Sequence, residues 1–213
     1  MVVLVSSINN HSQKRLSSYG EQRKHSLPDK FGVYLSEKKI RKITKKIKQT
    51  GTFADFGCGY DARLSYGFRN TWKRLILVDI SVNPTLQRDG VTIIKGELPK
   101  VSEQIHSETV DFLLLNNILE HVFQDLDVLV ASHRVLKSGG LLYINVPSWL
   151  GKRFLEYSAF RLSLSSPEEM MDHKKYYDPK DLWPIIVKAG FNPINIKIKK
   201  TKFRLNTTAI VRK

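Results

Sequence analysis

The stretch FADFGCGYDARLS, Phe53 to Ser65, runs from apolar residues into an acid and then through two glycines. Asp55, Gly57, Cys58 and Gly59 thus stand together where an apolar strand would end. Without a Cβ, each glycine lets the backbone bend sharply and come close to a ligand. Asp79 closes the next apolar run, RLILVDI, about twenty residues further on, where an acid can accept from both hydroxyls of an adenosine ribose. A pyrophosphate loop of G-x-G-x-x-G type seats its phosphates on a helix N-terminus. Here the corresponding residues are Gly57-Cys58-Gly59-Tyr60-Asp61-Ala62, so Asp61 and Asp55 would repel phosphate. A cationic adenosine ligand without phosphate fits these charges. S-adenosyl-L-methionine (SAM), with a sulfonium and an amino group, is such a ligand, and Asp55 could receive its ammonium.

Methyl transfer from a sulfonium is a direct displacement, served chiefly by holding nucleophile, methyl carbon and sulfur in line. A hydroxyl or amine acceptor also has to lose a proton, for which a base is useful. His121 in NNILEHV and His173 in MMDHKKYYD are the two candidates, each with a plainer alternative. His121 could orient its loop with Glu120 beside it, and His173 could be a surface residue next to Lys174 and Lys175. Cys58 could act as a nucleophile if the turn lowered its pKa, but packing beside the ligand is the simpler expectation. The chain has one cysteine, which excludes an internal disulfide, and its six histidines lack zinc-ligand spacing, so no metal is expected.

These residues need a scaffold. TFADF, RLILVDI, VTIIKG, VDFLLLNN and GGLLYINVP read as five strands separated by helical stretches. The fourth is almost continuously apolar, as suits a strand buried on both faces of a parallel sheet. RLSYGF is expected to start a helix, and DLDVLVASHRVLK to form one with Leu126, Leu129, Val130, His133 and Leu136 on one face. Upstream, Ser36 is expected to cap a helix carrying Ile40, Ile43 and Ile47 and ended by Gly51. Downstream, Asp178 and Pro179 start a helix closed by Gly190. FNPINIKIKK and FRLNTTAIVRK then alternate around a short turn, and strands joined so briefly pair antiparallel. The expected fold is α/β: a Rossmann-like sandwich with a mostly parallel seven-stranded sheet and an antiparallel C-terminal hairpin.

Over residues 50–213 the ordered motifs resemble those of class I SAM-dependent methyltransferases, of the bacterial group acting on small molecules and saccharide or lipid intermediates. DFGCGYDA is similar to the first motif, with Asp61 where glycine is commoner. LVDIS resembles the second, which implies Asp79 on the ribose and Ile80 beside the adenine. IIKGELP resembles the third and implies Glu97 and Leu98 at the adenine. VDFLLLNNILEHV resembles the fourth and implies Asn116 and Asn117 at the methionine part and the acceptor. RVLKSGGLLYINVPS and YYDPKDLWPIIVKAGF resemble the passages that follow. The resemblance implies methylation of a small-molecule, saccharide or lipid-linked acceptor, with oxygen as the expected atom. It carries no Asn-Pro-Pro-aromatic signature of amino methylation after the fourth strand.

Charge adds a second theme. Of the formal +15, residues 1–50 carry +9, residues 51–192 carry −1 and residues 193–213 carry +7. Two basic ends around a neutral middle suit an anionic partner, or else a solvated surface. The expected division is a basic arm and helix over 1–50 and a SAM-binding domain over 51–213, with an insertion or lid at about 148–175. That insertion mixes Trp149, Phe154, Leu155, Phe160 and Leu162 with Lys152, Arg153 and Arg161, as a lid or a membrane-touching segment would. A nucleic-acid methyltransferase and a non-catalytic SAM-binding protein are the alternatives. MVVLV is too short for a secretory signal, and a cytoplasmic location, with contact to a membrane surface, is expected.

Overall fold

The computed structural model describes residues 18, 21, 27–45, 47, 50–154 and 173–213. Seven strands form one sheet: β1 Thr52–Phe56, β2 Arg74–Asp79, β3 Val91–Lys95, β4 Val110–Asn116, β5 Leu136–Pro147, β6 Ile196–Thr201 and β7 Asn206–Arg212. Their order is β3-β2-β1-β4-β5-β7-β6. The first five are mutually parallel, and β7 lies antiparallel between β5 and β6. This is the mostly parallel sheet with an antiparallel C-terminal hairpin that the alternation of signals implies.

The sheet holds because successive side chains point to opposite faces, and both faces are covered. In β4, Phe112 through Leu115 are all fully buried. Leu113 and Leu115 join Phe56, Val78 and Ile144 in one core, which α2 (Asp125–Val135) and α3 (Pro179–Lys188) cover. Phe112 and Leu114 join Phe53, Leu75, Leu77 and Tyr143 in the other, which Ile40 of α1 (Leu27–Thr44) enters. Phe53 anchors that second core, its ring 5.2 Å from Phe68, 5.6 Å from Trp72 and 4.9 Å from Phe112.

Three local expectations are corrected. The first helix begins at Leu27, where Pro28 suits an opening turn, and Ser36 is buried within it as an interior residue. It ends at Thr44, whose hydroxyl donates back to Ile40 O at 3.0 Å, so Ile47 packs from beyond the helix. The RLSYGF stretch gives only a short 3-10 turn, Tyr66–Phe68. Thr71 Oγ1 and Arg69 Nη1 donate to the carbonyls of Phe68 and Tyr66, offering the backbone an alternative to a continued helix. In α2 the buried face is Val128, Leu129, Ala131, Ser132 and Val135, while Val130 is 47% exposed. Leu136 already belongs to β5, pairing with Val110, so the helical period stops one residue earlier.

The last helix follows expectation. Asp178 N–H donates to Asp181 Oδ2 at 2.9 Å across its first turn, and Gly190 leaves it at φ +100°. Among the described residues no helix is long and apolar enough to cross a membrane.

Candidate functional site

The carboxyl ends of β1, β2 and β4 meet at the centre of the sheet, where an open α/β sheet presents its ligand crevice. The turn after β1 is built for close approach. Gly57 and Gly59 have φ +78° and +73°, and a Cβ on Gly57 would lie 2.7 Å from Ile118 Cδ1. Gly57 and Cys58 N–H both donate to Val78 O, at 2.8 and 3.1 Å, which stitches this turn to β2.

Asp79 organises the neighbouring turn. Its Oδ2 accepts from Gly59 N–H at 2.7 Å and its Oδ1 from Ile80 N–H at 2.8 Å. Ser18 Oγ also donates to Oδ1, while itself accepting from Ser81 N–H at 2.8 Å. Glu21 completes the contact, taking Ser81 Oγ at 3.1 Å and Ser18 N–H at 3.1 Å. Ser18 and Glu21 lie in the polar N-terminal stretch that shows no period, so sequence reasoning missed them.

Asp55 is the other acid of the crevice, 1% exposed, and its Oδ1 has no hydrogen-bond partner among the described residues. Burial pushes its carboxyl up to about 7; the Ser65 hydroxyl opposes this and the Asp79 charge adds to it. Burial likewise pushes the Cys58 thiol well above its ordinary value, with Asp55 and Asp79 adding to the effect. Such a thiol stays protonated and is a poor nucleophile. Asp61 does not face Asp55: its Oδ1 accepts from Asn83 Nδ2 at 3.1 Å, and Asn83 N–H donates to Tyr60 O at 2.8 Å. The acid in place of a glycine is therefore absorbed by the loop after β2.

Glu97 is exposed and Leu98 buried just beyond β3, whose end is tied to β2 by Gly96 N–H on Asp79 O at 2.9 Å. At the end of β4, Asn116 lies beside Asn145 in register. Asn117 takes φ +55°, its N–H donates to Asn145 O at 2.8 Å and its Oδ1 accepts from Asn145 Nδ2 at 3.0 Å. Thr208 Oγ1 of β7 donates to Asn145 Oδ1 at 3.2 Å and accepts from Lys39 Nζ at 3.1 Å. Burial, with Lys199 and Lys202 adding, pulls the Lys39 ammonium down to about 8. Lys39, Asn145 and Thr208 are site-corner residues that no spacing rule singles out.

The two histidines, 52 positions apart in sequence, come together. His121 sits in the short 3-10 turn Leu119–His121, and its ring centroid is 4.8 Å from that of His173. The segment carrying His173 is strapped onto that turn. Lys174 N–H donates to Glu120 O at 2.8 Å, Lys174 Nζ to His121 O at 2.7 Å and Tyr177 Oη to Leu119 O at 3.2 Å. Nearby, Trp149 and Phe154 are exposed, with Lys152 Nζ 5.8 Å from the centroid of the Tyr176 ring. Leu155, Phe160, Arg161 and Leu162 lie outside the described residues.

Residues 19–196 match a family model described as a methyltransferase domain. Arsenite methyltransferase of Mus musculus is 32% identical over 116 residues, a match spanning 50% of this chain and 27% of that protein. The fold is similar to that of a SAM-dependent methyltransferase from Archaeoglobus fulgidus (TM-score 0.64, 14% identity, 88% of this chain and 100% of that one). It also resembles an O-methyltransferase family protein from Burkholderia thailandensis (TM-score 0.59, 14% identity, 85% and 57%). A third likeness is to phosphoethanolamine N-methyltransferase 2 of Haemonchus contortus, in complex with phosphomonomethylethanolamine and S-adenosylhomocysteine (TM-score 0.58, 17% identity, 81% and 40%).

Proposed function

We propose, from the premise that this chain belongs to the methyltransferase domain family, that it transfers the methyl group of SAM to an oxygen of a small-molecule, saccharide or lipid-linked acceptor. The observation that carries the cofactor half is the pair of acids at the carboxyl ends of adjacent strands, Asp55 of β1 and Asp79 of β2. Asp79 takes the ribose hydroxyls, with Ile80, Glu97 and Leu98 around the adenine. Gly57, Cys58 and Gly59 form the floor under the methionine part, and Asn116 and Asn117 hold its far side. Asp55 meets the amino group: an ammonium there supplies the partner that the buried Oδ1 lacks among the described residues.

The acceptor half rests on the lip beyond β4. His121 and His173 stand together there, and the Tyr176 ring beside His173 also meets exposed Trp149 and the cationic Lys152, with exposed Arg153 and Phe154 following in the chain. An apolar yet basic lip favours an acceptor carrying both an apolar portion and negative charge. In the reaction the acceptor hydroxyl gives its proton to solvent, its oxygen bonds to the methyl carbon as the carbon–sulfur bond breaks, and the electron pair of that bond stays on sulfur.

Calorimetric titration with SAM and with S-adenosylhomocysteine, on the intact chain and on Asp79→Ala, tests the cofactor half. Micromolar binding that Asp79→Ala weakens at least a hundredfold is the expected result. A folded chain that binds neither compound overturns it.

A further inference from the structure

Glu120, His121 and His173 present one ligand atom each within 4.8 Å of one another. They come from two separate stretches of chain, so the grouping is a product of the fold. Glu120 is 1% exposed, so the grouping is set within the fold and not on the open surface. On the other side, His173 Nδ1 meets Tyr176 Oη at 3.2 Å, which leaves Nε2 as its ligating nitrogen. A hydrogen bond to the remote nitrogen is the usual way an imidazole ligand is oriented. The backbone contacts of Lys174 to Glu120 and His121 fix the two stretches against each other.

We infer that Glu120, His121 and His173 form a binding site for one divalent first-row transition-metal ion. Two imidazoles and one carboxylate are a donor set suited to Zn²⁺, Mn²⁺, Fe²⁺ or Co²⁺, with further coordination positions left open. An ion about 2.1 Å from each nitrogen or oxygen needs its ligands roughly 3–3.5 Å apart, so modest side-chain rotation closes the 4.8 Å group around it. Glu120 and His121 stand three and four positions beyond Asn117, past the carboxyl end of β4, on the side assigned above to the acceptor. There the ion would bind the acceptor hydroxyl and lower its pKa. The proton passes to water, the oxygen bonds to the methyl carbon, and the carbon–sulfur electron pair stays on the departing thioether. This acceptor role rests on the methyl-transfer reading; the metal site itself does not.

The test uses the full chain, stripped with chelator and dialysed, then titrated with Mn²⁺ and followed by electron paramagnetic resonance and calorimetry. One equivalent should bind, at least tenfold more weakly in His121→Ala and in His173→Ala, and unchanged in His106→Ala, an exposed control. Wild-type protein that binds no Mn²⁺, or variants that bind it equally well, overturn the site. With Co²⁺ bound, addition of catechol as a chelating dihydroxy probe should shift the visible bands; unshifted bands overturn the acceptor role. SAM binding is measured on the same samples. Its loss with Mn²⁺ binding intact removes the methyl-transfer reading alone, and the reverse result removes the metal site alone.

Discussion

Ser18 donates its hydroxyl hydrogen bond to Asp79 Oδ1, so a residue of the N-terminal stretch occupies the acid assigned to the ribose. A carboxylate oxygen already engaged by Ser18 and Ile80 N–H has to exchange a partner when a ribose arrives. Ser18→Ala therefore should tighten SAM binding about ten- to hundredfold, the range of a hydrogen bond to a charged group after solvent exchange. Calorimetry on the variant decides it. Unchanged or weaker affinity would mean that Ser18 stays in place and assists the cofactor.

Asp55 should set the pH dependence of cofactor binding. The ionised carboxylate is the form that pairs with an ammonium, and burial holds half-ionisation at about pH 7. Affinity should rise about tenfold per pH unit below that point and level off above it. The same group shapes stability in the opposite sense. Unfolded, the carboxyl ionises near 3.8; folded, near 7, so its contribution is fully present below pH 3.8 and lost as pH rises to about 7. Asp55→Asn removes this loss and should stabilise the ligand-free chain at pH 8 by up to about 4 kcal/mol, scaling from the shift of 3.8 to about 7. A pH series of thermal melts that runs parallel for the two proteins would contradict it.

Gly57→Ala should damage both fold and site. The position needs φ +78°, and the added Cβ would sit 2.7 Å from Ile118. Strain of about 1–2 kcal/mol from the left-handed backbone adds to the overlap, which lowers the melting temperature by several degrees in a domain of this size. A variant that melts with wild type would show that the turn relaxes freely.

Cys58 should be sluggish toward alkylation. Burial holds its thiol above the ordinary value, so little thiolate exists at pH 8. Iodoacetamide should modify it at least tenfold more slowly than it modifies unfolded chain, and SAM should slow it further. Labelling at the unfolded rate would place the thiol in open water.

The sequence announces what depends on local chemistry. Asp55, the two glycines and Asp79 stand where the sequence puts them, at the ends of β1 and β2 and in the turn between, because a strand exit into a tight turn has a residue type and a spacing. β4 is legible because a strand buried on both faces has no polar face to show. Ser36 misled because a serine before charged residues looks like a cap, while the true start at Leu27 follows a stretch without period. The α2 face was misread because Leu136 continues the apolar pattern into β5. Spacing rules cannot pair His121 with His173, since only the return of the chain after β5 brings them together. Ser18, Lys39 and Thr208 were invisible for the same reason: each acts through a partner at least 61 positions away.

β7 is the last of the seven strands to be synthesised, yet it lies inside the sheet between β5 and β6. Its Thr208 backs Asn145, and Lys39 reaches the same hydroxyl across a separation of 169 residues. A nascent chain can pair β1 to β4 while translation continues, since those strands emerge first. The hydrogen bond by which Thr208 backs Asn145 has to wait for β7. The two halves of the crevice therefore mature in sequence, and a ribosome-bound chain stalled before residue 206 holds the strands bearing Asp55 and Asp79 without the strand that backs Asn145.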